Sequence, residues 1–169
     1  MSNSAVIMHE SSMVNLTCFE IKGQAYAIDV EHVREIVRIL EITPLPNAPA
    51  LIEGVIDLRG TVVPVVDLGK VLNCGPGSTG MHARIIVLDL DGLAMGVWVD
   101  ATTDILTLEE SRLEDVPGLA TQAGYDAVCN VVRRPGEAPI MVLSVDRLIK
   151  SLYRSALGDE SGTGTGDPS

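Results

Sequence analysis

Aromatic and basic residues are both scarce in this sequence of 169 residues. It holds one Phe, one Trp and three Tyr, and its 12 Lys and Arg face 23 Asp and Glu, for a net charge of −11. Proteins that bind single-stranded nucleic acid stack its bases on aromatic side chains, and all nucleic-acid binders must neutralise phosphates. Both shortages argue against nucleic acid as a partner.

Long apolar runs are also missing. No run approaches the roughly 20 residues that a membrane-spanning helix needs, and the first ten residues lack the basic and apolar segments of a secretory signal. We therefore expect a cytoplasmic protein with no direct membrane insertion. Cys18, Cys74 and Cys129 are odd in number and widely spaced, which favours reduced thiols over a disulfide framework.

Recognisable catalytic and metal-binding motifs are absent. The histidines His9, His32 and His82 have no shared spacing that suits a metal, and there is no C-x-x-C, H-E-x-x-H or G-x-S-x-G. Residues 75–80 match G-x-G-x-x-G, but no helix is predicted after them as dinucleotide binding requires, so we predict a flexible loop. We expect no metal, no cofactor and no catalytic residue, which favours a binding module over an enzyme.

Short runs of Val, Ile and Leu dominate what is present, and they predict strands. The stretch Gly54–Asp67 sets two such runs around Arg59-Gly60 and is typical of a tight hairpin. Further hairpins are predicted around Lys22-Gly23 and Asp91-Gly92. The remaining predicted strands cover residues 104–108, 126–132 and 139–143. So many short strands predict a mainly β protein of barrels or a sandwich.

Only two short helices are predicted. Asp29 stands where a helix cap belongs, and the apolar residues after it fit one face of a helix over about 30–37. Ser144 caps a second helix whose apolar residues are Val145, Leu148, Ile149 and Leu152.

The two ends of the chain differ in composition from the part between them. Residues 1–13 show no periodicity and are expected to form a flexible arm. Residues 154–169 are mainly Gly, Ser, Thr and acidic residues, a composition that cannot bury enough apolar surface to order itself. We expect one folded domain over 14–153, with a disordered acidic tail after it.

Glu35 and Arg59 are charges set among apolar residues. In one interpretation Glu35 pairs with Arg38 or water, and Arg59 only ends a strand. In the other, the two charges meet and orient a docking groove, because Arg favours specific bidentate pairing.

Residues 45–68, Leu-Pro-Asn-Ala-Pro-Ala-Leu-Ile-Glu-Gly-Val-Ile-Asp-Leu-Arg-Gly-Thr-Val-Val-Pro-Val-Val-Asp-Leu, closely resemble the signature of CheW-type chemotaxis coupling domains. That signature is a proline-led connector followed by G-V-x-N-L-R-G-x-x-x-P-V-x-D-L. Further matches lie at 26–36 and 96–106, and the resemblance covers roughly 14–153. Three departures are Asp57, where the family usually has Asn, and Arg84 and Thr102, where apolar residues are commoner.

The resemblance implies two packed five-stranded SH3-like β-barrel subdomains with short helices. It also implies a non-enzymatic adaptor that couples chemoreceptors to the regulatory domain of a CheA-type histidine kinase in signalling arrays. The residues that match receptor-binding positions are Val33, Glu35, Gly54 and Arg59. Those that match positions facing the kinase or a neighbouring ring subunit are Val30 and Leu119.

Other functions stay open at this point. The chain could serve a type IV pilus or another non-flagellar chemosensory pathway, or be a detached relative of the kinase's own coupling domain. A CheV-like protein is disfavoured, since the segment after the last helix is too short for a receiver domain. From a different class, a small enzyme with an unrecognised site remains an alternative.

Overall fold

The computed structural model describes residues 12–116 and 127–152. Its strands are β1 (Met13–Ile21), β2 (Gln24–Asp29), β3 (Val33–Arg38), β4 (Ile52–Leu58), β5 (Thr61–Asp67), β6 (Arg84–Leu90), β7 (Leu93–Val99), β8 (Ala101–Glu109), β9 (Glu114–Asp115), β10 (Val128–Arg134) and β11 (Glu137–Leu143). Its α-helices are α1 (Leu68–Val71) and α2, which covers 145–152. Short 3-10 turns precede β3 at Val30–His32 and follow β8 at Glu110–Arg112.

The strands form two sheets, as expected for a mainly β chain with two subdomains. In the first sheet the order is β8-β1-β2-β11-β10-β9, and in the second it is β3-β6-β7-β5-β4. The first sheet has one strand more than expected, because the two-residue β9 pairs with β10. The parallel pairs β2 with β11 and β5 with β7 join strands that are far apart in sequence.

Each sheet is closed by the chain that leaves one of its end strands. In the second sheet the chain leaves β3 and reaches Thr43, which pairs antiparallel with Val55 of β4 at the opposite end. The two N–O distances of this bridge are 2.8 and 2.9 Å. In the first sheet the chain leaves β8 and passes through the 3-10 turn to β9, again at the opposite end. This closure covers edges that would otherwise be free to pair with other chains, and we refer to the two units as the first and second barrels.

Buried apolar residues form one cluster inside each barrel and a larger cluster between the barrels. The first barrel encloses Leu16, Cys18, Ala27, Leu108, Val132, Ile140 and Val142. The second barrel encloses Ile56, Val63, Val65, Ile85 and Val87. The shared core between the barrels includes Phe19, Ile21, Tyr26 and Ile28 from the first sheet and Val66, Ile86, Leu88, Met95, Val97 and Val99 from the second.

Strand β6 shows why the apolar runs in this sequence are continuous. Ile85 and Val87 point into the second barrel, whereas Ile86 and Leu88 point into the shared core. All four side chains are fully buried. A strand buried on both faces needs apolar residues at every position rather than at alternate ones, and each such side chain stabilises the fold by roughly 1.5–3 kcal/mol.

The helix predicted over 30–37 is wrong. Only Val30–His32 turn, as a 3-10 helix capped by Asp29, whose carboxylate accepts the Glu31 N–H at 2.9 Å. From Val33 the chain is strand β3, paired with β6. Val33 and Val37 are four residues apart, a spacing that fits one face of a helix and one face of a strand equally well. Long-range pairing with β6 decides in favour of the strand.

The second predicted helix is confirmed over 145–152, and its Ser144 cap accepts the Arg147 N–H at 3.3 Å. Helix α1 was not predicted. Its signal was Asp67, whose carboxylate accepts the N–H groups of Gly69 and Lys70 at 3.0 and 3.4 Å. Its four residues are too few to show a helical period.

Gly54 lies against the Thr43 carbonyl group, at the bridge that closes the second barrel. A Cβ at this position would lie 2.3 Å from the Thr43 carbonyl oxygen, so Gly54→Ala must displace the bridge. We expect a loss of about 3 kcal/mol in the free energy of unfolding. The matched control is Gly92→Ala, where φ is +93° but the space is open, and which should lose about 1 kcal/mol. Equal losses in urea unfolding would contradict this role of Gly54.

Candidate functional site

The hairpin between β4 and β5 presents Arg59 at its tip. Arg59 and Gly60 have φ values of 52° and 86°, as a two-residue type I′ turn requires. Arg59 adopts this left-handed conformation without being glycine, so the turn needs support. Asp57 provides it by accepting the Gly60 N–H at 2.8 Å. An Asn side chain carries the same acceptor oxygen and would be able to accept the same N–H.

Arg59 forms a bidentate ion pair with Glu35 of β3. One guanidinium nitrogen donates to Glu35 Oε1 at 3.1 Å, and the other donates to Oε2. The hydrogen bond from Arg59 lowers the pKa of Glu35 below its ordinary value, and the carboxylate raises the pKa of Arg59. The Glu35 side chain is 25% exposed and that of Arg59 is 71% exposed. The guanidinium is therefore oriented by Glu35 but open to a partner.

The ion pair lies at the seam where the second barrel closes. Glu35 belongs to one end strand of the sheet, and Arg59 follows the other. The Thr43–Val55 bridge spans the same seam at backbone level. Two contacts therefore hold the chain of β3 and the residues after it against the β4–β5 hairpin. Of the two, the ion pair carries the exposed charge.

Two apolar side chains accompany the ion pair on β3. Ile36 lies opposite Ile86 in the β3–β6 ladder, so it shares the face that leads into the shared core, yet it is 40% exposed. Val33 is half-buried and packs against the shared core. Ile36 and Val33 thus lie on the side of β3 that leads to the shared core, and Glu35 lies on the other side of the same strand.

The other residues expected to bind partners lie in different settings. Gly54 is buried beside Thr43, at the bridge that closes the second barrel. Val30 is half-buried in the 3-10 turn before β3. Leu119 lies outside the described residues.

A second candidate surface was missed from the sequence. An apolar cavity of about 230 Å³ lies between the connector before β4, the β6–β7 hairpin and helix α2. It is lined by Pro49, Leu51, Ile52, Leu90, Met95, Ile149 and Leu152. The periodicity of α2 indicated a buried face, but it could not show that part of that face borders an open cavity.

The Gly-rich loop over 75–80 is held by carboxylates rather than poised for phosphate. Asp67 accepts the Gly77 N–H at 2.7 Å, and Asp100 accepts the Ser78 N–H at 2.9 Å. The Trp98 indole donates to the Ser78 carbonyl at 2.9 Å. Backbone N–H groups that would cradle a pyrophosphate are thus already paired with negative groups, and the loop is anchored rather than free.

Neither a metal-binding cluster nor a membrane-spanning helix occurs in the described ranges 12–116 and 127–152. No three His, Cys, Asp or Glu residues are placed there to hold a metal ion. Within the same ranges, no helix is long and apolar enough to span a bilayer.

Comparison with known proteins identifies the family. A family model described as the CheW-like domain matches residues 15–152. The chain belongs to the CheW-like domain family. A chemotaxis protein CheW of Rhizobium meliloti is 31% identical over 141 residues, which is 83% of this chain and 90% of that protein. A chemotaxis protein CheW of Thermotoga maritima is 32% identical over 134 residues, covering 79% and 86%.

The comparison with solved structures agrees with the fold. The crystal structure of the scaffolding protein TtCheW from Thermoanaerobacter tengcongensis matches this chain with a TM-score of 0.73 at 28% identity. The match covers 83% of this chain and 90% of that one. A CheW-like domain built as two packed barrels therefore accounts for the described strands.

The lowered pKa of Glu35 makes the ion pair dependent on pH. A carboxyl group whose pKa is lower in the folded state stabilises the fold above its unfolded pKa and stops doing so as the pH falls through the folded value. We expect Glu35→Gln to be slightly less stable than wild type at neutral pH and equally stable below the lowered pKa. Denaturant unfolding across a pH series measures this. A difference that is independent of pH would contradict it.

The thiol of Cys18 should be a poor nucleophile in the folded protein. It is 4% exposed, and burial raises its pKa to about 11, so only about one molecule in a thousand is thiolate near pH 8. We expect iodoacetamide to leave Cys18 unmodified in the native protein and to modify it after unfolding, as read by peptide mass spectrometry. Equal labelling of Cys18 in both states would contradict its placement in the first barrel.

Proposed function

We propose that this chain is a non-enzymatic cytoplasmic adaptor that couples chemoreceptors to a CheA-type histidine kinase in signalling arrays. The observation that carries the proposal is the Glu35–Arg59 pair, a charge fixed by a bidentate contact and left open at the surface of a rigid fold. Membership of the CheW-like family and the similarity to the scaffolding protein TtCheW support it.

The receptor surface in this proposal is the β3 face. Arg59 supplies an oriented guanidinium on one side of β3, and Val33 and Ile36 supply apolar surface on the other side of the same strand. Arginine is one of the residue types enriched among those that carry most of the binding energy of an interface. Glu35 acts by orienting Arg59, and Gly54 acts by keeping the seam closed.

The kinase surface in this proposal uses Val30, Leu119 and the apolar cavity beside α2. The cavity offers apolar walls for one or two aliphatic side chains of the kinase's regulatory domain. Because the β3 face and the cavity are lined by different side chains, one chain can contact both partners together. Repetition of such contacts in an array gives tight assembly from modest individual affinities.

The test is co-sedimentation with vesicles that carry the receptor and with the kinase. Arg59→Glu places two carboxylates together and should reduce co-sedimentation about tenfold, which corresponds to about 1.4 kcal/mol. Circular dichroism should remain unchanged, since the Arg59 side chain is 71% exposed. The matched control is Arg133→Glu, an exposed arginine of β10 paired with Glu114, which should co-sediment normally.

The charge-swapped variant Glu35→Arg/Arg59→Glu separates stability from recognition. It restores an ion pair at the seam but presents the opposite charge to the partner, so binding should stay weak. Wild-type co-sedimentation by Arg59→Glu would contradict the proposed receptor surface. Full recovery by the swapped variant would show that the pair matters only for the fold.

A further inference from the structure

The β3–β6 ladder ends in a cross-strand pair of arginines. Arg38 lies directly opposite Arg84, and like charges in this position destabilise a sheet. Elsewhere on the same two strands, Arg34 is balanced by Asp89 at 3.4 Å. The arginine pair therefore stands out as a local excess of positive charge in a chain whose net charge is −11.

This positive charge is not balanced by the folded chain. Arg84 donates to the carbonyl oxygens of Met81 and Ala83, both at 2.8 Å. Within 12–116 and 127–152, the side chains of Arg38 and His82 make no hydrogen bond or ion pair. The three side chains border an open groove of about 630 Å³, whose described lining also includes Ile39 and residues 79–81 but no acidic residue.

We propose that this groove binds the carboxylates of Asp159 and Glu160 from the C-terminal segment of the same chain. Guanidinium groups pair with carboxylates through two parallel hydrogen bonds. The pair Asp159-Glu160 contains the first acidic residues after α2. The site would give the arginine pair the counter-charge that the barrels do not supply.

The length of the intervening chain fits this occupant. Leu152, at the end of α2, and Leu90, at the end of β6, line the same cavity. From Leu90 to Arg84 the strand covers about 20 Å, and the seven residues from Leu152 to Asp159 can span up to about 25 Å. Exposed ion pairs are individually weak, but the covalent link gives the segment a high effective concentration at the groove.

The position of the groove has a consequence for the surface beside it. Arg38 follows Glu35 on β3 by three residues, or about 10 Å. Arg38 lies on the face of β3 that carries Ile36, opposite to the face of Glu35, so a bound C-terminal segment would lie beside Ile36 rather than over the Glu35–Arg59 pair. The inference itself rests on the arginine groove and does not require the proposed adaptor function.

The experiment compares ¹H–¹⁵N spectra of the full chain and of Asp159→Asn/Glu160→Gln. We expect the Nε–Hε resonances of Arg38 and Arg84 and the amides of residues 79–83 to shift in the variant. Added NaCl should shift the wild-type resonances toward the variant's positions and leave the variant nearly unchanged, because salt screens exposed pairs. The matched control is Glu109→Gln/Glu110→Gln, an adjacent exposed acidic pair on the first barrel, which should leave these resonances in place.

Four results would overturn the proposal. The first is unchanged groove resonances when Asp159 and Glu160 are neutralised. The second is an equal shift from the control pair, which would indicate a general effect of net charge. The third is a difference between wild-type and variant spectra that disappears when the protein is diluted. That result would show that Asp159 and Glu160 bind the groove of a second copy of the chain. The fourth concerns the reciprocal variant Arg84→Gln, in which the amide resonances of residues 159 and 160 should shift. Unchanged amide resonances of these two residues would contradict the proposal.

Discussion

The structure depends on the apolar core that the two barrels share. Strands such as β6 bury one face inside a barrel and the other face between the barrels, so neither barrel can move without exposing surface that the other covers. Rigid relative placement follows from this double burial. It allows a β3 surface and an apolar cavity on the same small chain to hold a fixed relation, which is what a scaffold requires.

Much of the fold could be predicted because its turns are determined locally. Lys22-Gly23, Arg59-Gly60 and Asp91-Gly92 each place two residues at positive φ between strands, and such dipeptides indicate hairpins directly. The region 30–37 could not be predicted this way, since Val33 and Val37 fit a helix and a strand alike. Pairing with β6, a contact across some fifty residues of sequence, determines its structure.

The candidate site was predictable to a lesser degree. The pairing of Glu35 with Arg59 was one of two interpretations, and only the closure of the second barrel brings the two residues together. Gly54 is expected at a binding surface, and that stays a prediction; its close approach to the Thr43 carbonyl depends on the barrel closure, which no local pattern shows. The apolar cavity draws its lining from three separate parts of the chain, an arrangement that no local pattern reveals.

The central claim is that receptor and kinase bind one chain on separate surfaces at the same time. The most direct measurement is titration calorimetry of the kinase's regulatory domain into this chain, first alone and then saturated with a receptor-tip fragment. The account predicts that the regulatory domain binds the saturated chain at least as tightly as the free chain. Loss of kinase binding in proportion to receptor occupancy would show a single shared surface and would contradict the account.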